Sequence, residues 1–488
     1  MAWHQDYIAW KIADNIPGPR LINFVIFLDS VNEFNGSISL SPEQMRGLVE
    51  RHSMYSPKGG VGTAVIFHPE IVHGAAANLS PYPRRVVIAT YDEIHNKAAG
   101  SAPPRIPREP RHSAPDRPGA YMTMKTSRAV VLKDFRRPPA LGTFDVPEPM
   151  TGGLTVTCRY GGICGTDLHL IAGHLDIPTP LVLGHEGLGT VDALGEGTER
   201  DINGDPIEVG DAVMWASSIA CDRCHACQKL REPTLCENRR TYGVNRLSSA
   251  GSPLSGSWAD VIALEPGTTV VKLPAGIDPI AAMSFACAGP TMIHALGERR
   301  PVRLGEIVAV QGSGPVGLAA AALAQLAGAE VIIVGGPPAR LAAAKAAGIG
   351  DHHVEVVESG DVSGAIDVVL ACTRGQGVDL VIECTGVPEA VDQGTRMARR
   401  GGSYLIVGQY TDSGNAWFNP HQIVYRQLDM VGSWAFTGTH LQEYIRMLPA
   451  LTRRFDLPSL VTCWPLTQVG EALHQVGAGT VIKAVLAA

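Results

Sequence analysis

The chain runs to 488 residues, too long for one hydrophobic core, so it should hold roughly two to four domains. It is 45% hydrophobic and 18% charged with a formal net charge of −7, which excludes a disordered or collagen-like chain and argues against a nucleic-acid partner. No basic, then apolar, leader opens it, and its ten cysteines are clustered, which points to metal ligation in a reducing cytoplasm and not to a secreted disulfide framework.

Residues 1–97 open with WHQDYIAW, where His4 and Asp6 are two apart and so share one face of a strand. The later run FHPEIVHGAAANLSPYPRRVVIATY brings His73 and Arg84. Two histidines and a carboxylate on one face of an iron leave positions for oxygen and a keto acid. An arginine can grip the acid's carboxylate. INFVIFLD, SISLS and RRVVIATY read as short strands. Together these residues resemble the C-terminal half of a phytanoyl-CoA dioxygenase-like, 2-oxoglutarate-dependent iron hydroxylase. The resemblance implies iron at His4, Asp6 and His73, 2-oxoglutarate at Arg84, and a partial jelly roll (double-stranded β-helix). The strands that precede the His-x-Asp in that family are missing, and its Pro-Gly-Ser-His turn reads SPEQM at Ser41–Met45. An incomplete barrel exposes strand edges and half a pocket. The expectation is therefore a vestigial or accessory fragment, the alternative a working hydroxylase fused to a second enzyme. Residues 98–125, with a proline every few positions from Ser101 to Gly119, read as a semi-rigid linker.

From residue 126 to 288 short β-runs surround GGICGTDLHLIAGHLDIPTPLVLGHEGLGTV, Gly161–Val191. The strand GGLTVTCRYGGIC ends on Cys164, and His185 sits at a turn between apolar runs with Glu186 beside it. SFACAGPTMIHAL contributes Cys287. Two cysteines and a histidine with a fourth position open are the ligand set of a catalytic zinc. Between them, CDRCHACQKLREPTLC supplies Cys221, Cys224, Cys227 and Cys236, four thiolates that would close a structural zinc site and clamp a loop lacking its own core. His225, inside that cluster, is not taken as a ligand.

From 289 to 434 the chain alternates strand and helix. EIVAVQGSGPVGLAAAALAQLAGAEVIIVGG is apolar enough to suggest a membrane span, but Gly312, Gly314, Pro315 and Gly317 interrupt it where a nucleotide loop needs them. Gly312, Gly314 and Gly317 fit GxGxxG after a strand and opening a helix, with Pro315 and Val316 at the helix start, where the amino terminus favours a pyrophosphate. The acid expected to hold the adenosine ribose falls at Gly335. Arg340 or Lys345 can then meet a 2′-phosphate, which favours NADP over NAD. Val407 follows the strand SYLIV, and the domain's last strand begins at Asp429. Residues 435–488, with the helical run HLQEYIRMLPAL, return to the catalytic domain.

CGTDLH, LVLGHEGLG, the four-cysteine lobe and the glycine fingerprint together resemble the zinc-containing medium-chain dehydrogenase/reductase (alcohol dehydrogenase) family, from about residue 124 to 488; that family is the type example of the Cys-Cys-His set. The resemblance implies an α/β plus β protein: a GroES-like catalytic domain with an inserted Rossmann doubly wound parallel sheet, binding two zinc ions and NAD(P), and assembling as a homodimer or homotetramer. It assigns the catalytic zinc to Cys164, His185 and Cys287. Asp167 orients the histidine, Glu186 approaches the metal, Thr166 takes the alcohol proton, and His169 passes it outward. The interval before Cys236 is one residue longer than the family's. His174, His294, His352, His353 and His421 are read as structural or surface histidines, and Cys158, Cys372, Cys384 and Cys463 as packing. The 200s segments LGEGTERDINGDPIEVGD and REPTLCENRRTYG look similar to subfamilies acting in phosphonate breakdown or on cyclic terpenoid alcohols. The competing reading is a non-catalytic, zinc-stabilised nucleotide-binding protein.

Overall fold

A computed structural model describes residues 125–245, 254–356 and 363–488 together with three N-terminal strands. The chain divides into two units, Met1–Ala120 and Tyr121–Ala488. In the first, β1 (Leu21–Phe27), β2 (Ala64–Phe67) and β3 (Val86–Asp92) form an antiparallel sheet in the order β2-β1-β3. β1 and β3 lie in the β-branched runs that predict them. β2 is not among the predicted strands, because a four-residue apolar run has no readable period. SISLS, His4, Asp6, His73, Arg84 and the linker all lie outside the described residues.

The second unit starts with β4 (Thr126–Leu132), β5 (Ala140–Asp145), β6 (Leu154–Ile163), β7 (Leu181–Val182) and β8 (Gly187–Leu194). β9 (Ala212–Trp215), β10 (Ser218–Ile219), β11 (Arg240–Thr241), β12 (Val261–Leu264) and β13 (Val270–Lys272) follow. β6 pairs antiparallel with β8 from Leu154↔Leu194 to Gly161↔Gly187. The chain therefore leaves β6 and enters β8 at the same end of the sheet, where Cys164 and His185 lie. Gly184, with φ +99°, makes that entry. A Cβ there would be strained and would lie 2.4 Å from Trp258 Cδ1.

Six parallel strands build the second sheet: β14 (Ile307–Gln311), β15 (Glu330–Gly335), β16 (His352–Glu355), β17 (Val378–Glu383), β18 (Ala398–Ile406) and β19 (Asp429–Gly432). Their order, β16-β15-β14-β17-β18-β19, reverses direction between β14 and β17, and dinucleotides bind in the crevice beyond the carboxyl ends of strands at such a reversal. Val308, Ala309 and Val310 are fully buried, as expected of a strand with helices over both faces. The helix Pro315–Leu326 starts on Gly314 with proline in its first turn, and an alanine-rich interior sustains it. A Cβ on Gly317 would fall 2.0 Å from the Gly312 carbonyl oxygen, so only glycine lets this helix close onto its turn. The apolar run Ile307–Val334 is thus strand, turn, helix and strand. Among the described residues no helix is long and apolar enough to cross a membrane.

The helix Gly438–Arg454 leaves this layer and is anchored by Tyr444, whose hydroxyl donates to the Ala282 carbonyl at 2.8 Å. β20 (Val461–Pro465), the helix Val469–Gly477 and β21 (Lys483–Ala487) then rejoin the first sheet. That sheet has seven strands in the order β13-β9-β8-β6-β21-β20, with β12 also on β6; β5, β4 and β7 form a separate small sheet. β21 runs antiparallel to β6 with Ala484 opposite Ile163, which sets Lys483 against the end of β6 that leads to Cys164.

Candidate active site and metal centres

Donor atoms of Cys164, His185, Glu186 and Cys287 lie within 4.8 Å of one another. Cys164 caps the helix Gly165–Ala172 and Cys287 caps the helix Ala288–His294. Asp167, in the first turn of the former helix, is completely buried. It accepts the Cys164 backbone N–H at 2.8 Å with one oxygen and holds the other 3.2 Å from His185 Nδ1. With Nδ1 facing a carboxylate, His185 presents Nε2 to the sulfurs, the usual arrangement behind a metal-bound histidine.

The electrostatics of this cluster describe a cation site. A hydrogen bond from Cys287, and then the His185 imidazole, hold the Cys164 thiol well below its usual range. Burial opposes charge on His185, but Asp167 and the two sulfurs raise its pKa well above the ordinary value. Cys287 goes well above, because it donates to Cys164 and is buried. One thiolate, one imidazolium and one thiol carry two protons that a divalent ion displaces with no change in net charge. Two soft sulfurs and an imidazole suit zinc.

Glu186 is the fourth member, and its partner is a residue absent from the sequence reading. Lys483 Nζ forms an ion pair with Glu186 Oε2 and donates to the Ile163 carbonyl at 3.1 Å, with both side chains buried. Burial raises the Glu186 pKa against the pull of Lys483. A Cβ on Gly162 would lie 2.2 Å from Glu186 Oε2, so the glycine makes room for the carboxylate.

Donor atoms of Cys221, Cys224, Cys227 and Cys236 also lie within 4.8 Å. Cys224 Sγ is 3.5 Å from Cys227 Sγ and 4.0 Å from Cys236 Sγ. Sulfurs at the corners of a tetrahedral zinc site are about 3.8 Å apart. All ten cysteines are free thiols. The backbone N–H groups of Arg223 and then Cys224 stabilise charge on Cys221 and lower its pKa to about 6, and the Cys221 N–H donates to Cys236 Sγ at 3.2 Å. Between Cys224 and Cys236 the chain forms the π-turn Ala226–Leu230, which Arg231 closes at φ 56°. His225 is exposed and outside the cluster.

A cavity of about 490 Å³ joins the first cluster to the crevice of the parallel sheet, with Cys164, His185 and Cys287 at one side and Gly312, Gly314 and Pro315 at another. Thr166, His169, Glu186, Val316, Arg340 and Val407 also line it. A Cβ on Gly314 would meet nothing within 4 Å, which leaves the helix amino terminus open to a phosphate. Gly335 lies behind the turn, where a Cβ would be 3.0 Å from the Ser313 backbone nitrogen. Arg340 borders the cavity and donates to the Val481 carbonyl at 3.0 Å, whereas Lys345 is exposed on the helix Pro338–Ala346 and does not line it. Glu383, fully buried at the end of β17, accepts the N–H groups of Thr385 (2.6 Å), Gly386 (2.8 Å) and Gly408 (3.1 Å). It ties down the loops that flank Val407. Its only signal in sequence is an acid at the close of an apolar strand.

Thr166 Oγ1 is 3.9 Å from Cys164 Sγ, and His169 lies one turn along the same helix. His169 Nδ1 is 3.0 Å from Nδ1 of His174, which is exposed and had been read as a bystander. Burial and then His174 hold the His169 pKa below its usual value. Of the cysteines read as packing, Cys158 is buried in the core. Cys384 packs against the core and also borders the cavity, whereas Cys372 and Cys463 are exposed, because the faces of their elements are set by neighbours distant in sequence. His294 is buried and donates through Nδ1 to the Ala435 carbonyl at 2.9 Å.

Replacing Lys483 by methionine strands a buried carboxylate and should cost about 3–5 kcal/mol near neutral pH. The Glu186 pKa, already raised by burial, then lies further above its unfolded value. Protonation removes the unpaired charge, so the deficit should shrink as pH falls and grow as pH rises. Urea midpoints of Lys483→Met at pH 5 and pH 8 check this, and a deficit independent of pH contradicts it.

Comparison with known proteins agrees over the same stretch. Residues 151–275 match the alcohol dehydrogenase GroES-like domain, residues 315–453 the zinc-binding dehydrogenase family, and residues 1–86 the phytanoyl-CoA dioxygenase family. The 5-exo-hydroxycamphor dehydrogenase of Pseudomonas putida is 32% identical over 370 residues, covering 74% of this chain and 99% of that protein. A sorbitol dehydrogenase of Halalkalibacterium halodurans is 31% identical over 349 residues, covering 70% and 93%. An alcohol dehydrogenase crystal structure from Thermotoga maritima aligns with a TM-score of 0.70 at 30% identity, covering 74% of this chain and 99% of that one. A zinc-binding dehydrogenase from Sinorhizobium meliloti 1021, solved with NADP, aligns at 0.64 and 27%, covering 75% and 100%. Both cysteine clusters, the cavity beside the first of them and the two dehydrogenase family matches fall within the larger unit, and the chain belongs to the zinc-containing alcohol dehydrogenase family.

Proposed function

We propose that the larger unit is a zinc-dependent alcohol dehydrogenase that moves a hydride between a secondary or functionalised alcohol and NAD(P). Residues 126–288 and 435–488 serve as its catalytic domain and 289–434 as its nucleotide domain. The observation that carries this reading is one cavity bordered by both the Cys164–His185–Cys287 cluster and the Gly312–Gly314 turn. Cys164, His185 and Cys287 would hold the catalytic ion, and Cys221, Cys224, Cys227 and Cys236 a structural one. The bound metal supplies Lewis acidity toward the substrate hydroxyl. Asp167 keeps His185 in the tautomer that ligation needs. Thr166 Oγ1 takes the hydroxyl proton, and His169 and then His174 carry it to solvent. A reducing, cytoplasmic setting suits six ligand thiols kept free of disulfides.

NADP is the proposed cofactor, since Gly335 offers no carboxylate to repel a 2′-phosphate and Arg340 borders the same cavity. A homodimer or homotetramer is proposed through β19, the outermost strand of the parallel sheet, near which Trp417 and Val424 stand 80% and 77% exposed. Light scattering should give two or four times the 51.7 kDa chain mass; a monomer rejects this assembly. A second reading, in which the N-terminal unit hydroxylates with iron and 2-oxoglutarate, rests on the match of residues 1–86. Iron uptake with 2-oxoglutarate turnover by the full chain would support it, and absence of both rejects it.

Elemental analysis should find two zinc ions per chain. Cys287→Ser should abolish alcohol oxidation while leaving one zinc, and Cys227→Ser should lose the other zinc and lower Tm. Full activity in a zinc-free Cys164→Ser variant would overturn the reading. His169 accepts a proton only when neutral, so alcohol oxidation should fall as pH drops through its pKa. His169→Ala should lower kcat by about tenfold or more. His174→Ala removes like-charge repulsion, raises the His169 pKa and should move the acid limb of the kcat profile to higher pH. Gly335→Asp should lower kcat/KM for NADP relative to NAD by about tenfold or more. An unchanged ratio argues against the cofactor assignment.

A further inference from the structure

Two adjacent arginines follow the four-cysteine lobe and take opposite directions. Arg240 pairs with Glu265 at 2.6 Å. Arg239 turns to the cavity that Cys164, His185 and Cys287 also line. Its backbone is fixed on both sides: the N–H donates to the Cys236 carbonyl at 3.3 Å, and the carbonyl accepts Asn245 Nδ2 at 3.0 Å. Its guanidinium carbon lies 6.0 Å from the centre of the Trp434 ring, which stacks on Tyr410 at 4.7 Å and 7°. Nη1 donates to the Thr234 carbonyl at 3.3 Å. A guanidinium has five N–H donors in a planar fork, and among the described residues one of them is taken by Thr234.

No carboxylate forms an ion pair with Arg239 among the described residues. Glu186 is the one carboxylate among the described residues that line the cavity, and Lys483 neutralises it. The neighbouring stretch 246–253 reads RLSSAGSP, without an acid. Arg340, the other guanidinium in the lining, belongs to the nucleotide fold and is bonded to Val481. A half-buried arginine beside an aromatic ring, with no acid paired to it among the described residues, is suited to a planar or tetrahedral oxyanion. The Tyr410 ring, stacked on Trp434, completes the wall beside Arg239.

We propose that the substrate is an alcohol carrying an anionic oxyacid group, a carboxylate or a phosphonate, which Arg239 binds against the Trp434–Tyr410 wall while the hydroxyl reaches the Cys164–His185–Cys287 cluster. This rests on the dehydrogenase reading. The four-cysteine lobe then has a functional consequence: the backbone carbonyl of its last cysteine, Cys236, holds the turn that aims the specificity-determining side chain.

The test uses the zinc-loaded full chain with cofactor and the matched pair 3-hydroxybutyrate and 2-butanol, with 2-hydroxyethylphosphonate against 1-propanol to separate carboxylate from phosphonate. Wild type should prefer at least one anionic member by about tenfold or more in kcat/KM, with a KM that rises with ionic strength. Arg239→Gln should lower the anionic-to-neutral ratio by about 10- to 100-fold, and Arg239→Lys should restore part of it. Independently of turnover, titration of the cofactor complex with butyrate or ethylphosphonate should quench tryptophan fluorescence in wild type and fail to do so in Arg239→Gln at unchanged zinc content. Turnover of neutral alcohols with no anionic preference overturns this proposal and leaves the dehydrogenase standing. An Arg239→Gln variant that weakens NADP binding instead of the ratio also overturns it. No turnover of either pair with zinc and cofactor bound overturns the dehydrogenase reading and this proposal together.

Discussion

The antiparallel pairing of β6 with β8 is the constraint from which the active site follows. It makes one edge of the sheet deliver a thiol at the end of one strand and an imidazole at the start of the next. Cys287 reaches the same point from a helix start, and Asp167 locks the ring from behind. Three donors are brought together in a buried place, two sulfurs and a ring nitrogen. Such a donor set suits a divalent ion such as zinc, so the backbone geometry favours metal chemistry before any substrate arrives.

The second constraint is charge neutrality around that centre. Glu186 is drawn into the protein interior because it follows His185 directly, and an unpaired buried carboxylate is costly. The chain supplies Lys483 from its last strand, which is why the C-terminal segment must cross back from the nucleotide layer and pair with β6. The return of the tail is therefore part of the active site's electrostatics as well as the completion of a sheet. Glu383 plays a comparable part on the nucleotide side, holding two loops through three backbone N–H groups.

The four-cysteine lobe extends this logic to a region with little apolar material. Its residues are largely half-buried or exposed, so its shape depends on ligation more than on packing. Through Cys236 and the turn behind it, that shape reaches the cavity wall at Arg239, Trp434 and Tyr410.

Local chemistry was legible from sequence wherever partners are close or a spacing is diagnostic. The glycine turn, the four clustered cysteines and the order of strand and helix in the nucleotide layer all depend on neighbours within a few residues, and they stand where the residues predict them. Lys483, Glu383 and Arg239 were not legible. Lys483 sits in an apolar run that reads as an ordinary closing strand, and its meaning comes from Glu186 far back in the chain. Nor does a sequence say which way a side chain leaves a turn, so nothing distinguished Arg239 from Arg240 until one met Glu265 and the other the cavity. Sequence by itself determined which donor atoms and which phosphate-binding turn exist, because those follow from residue type and short spacing. Tertiary structure alone decided which charges face one another, because that depends on strand register and side-chain direction across segments that only folding brings into contact.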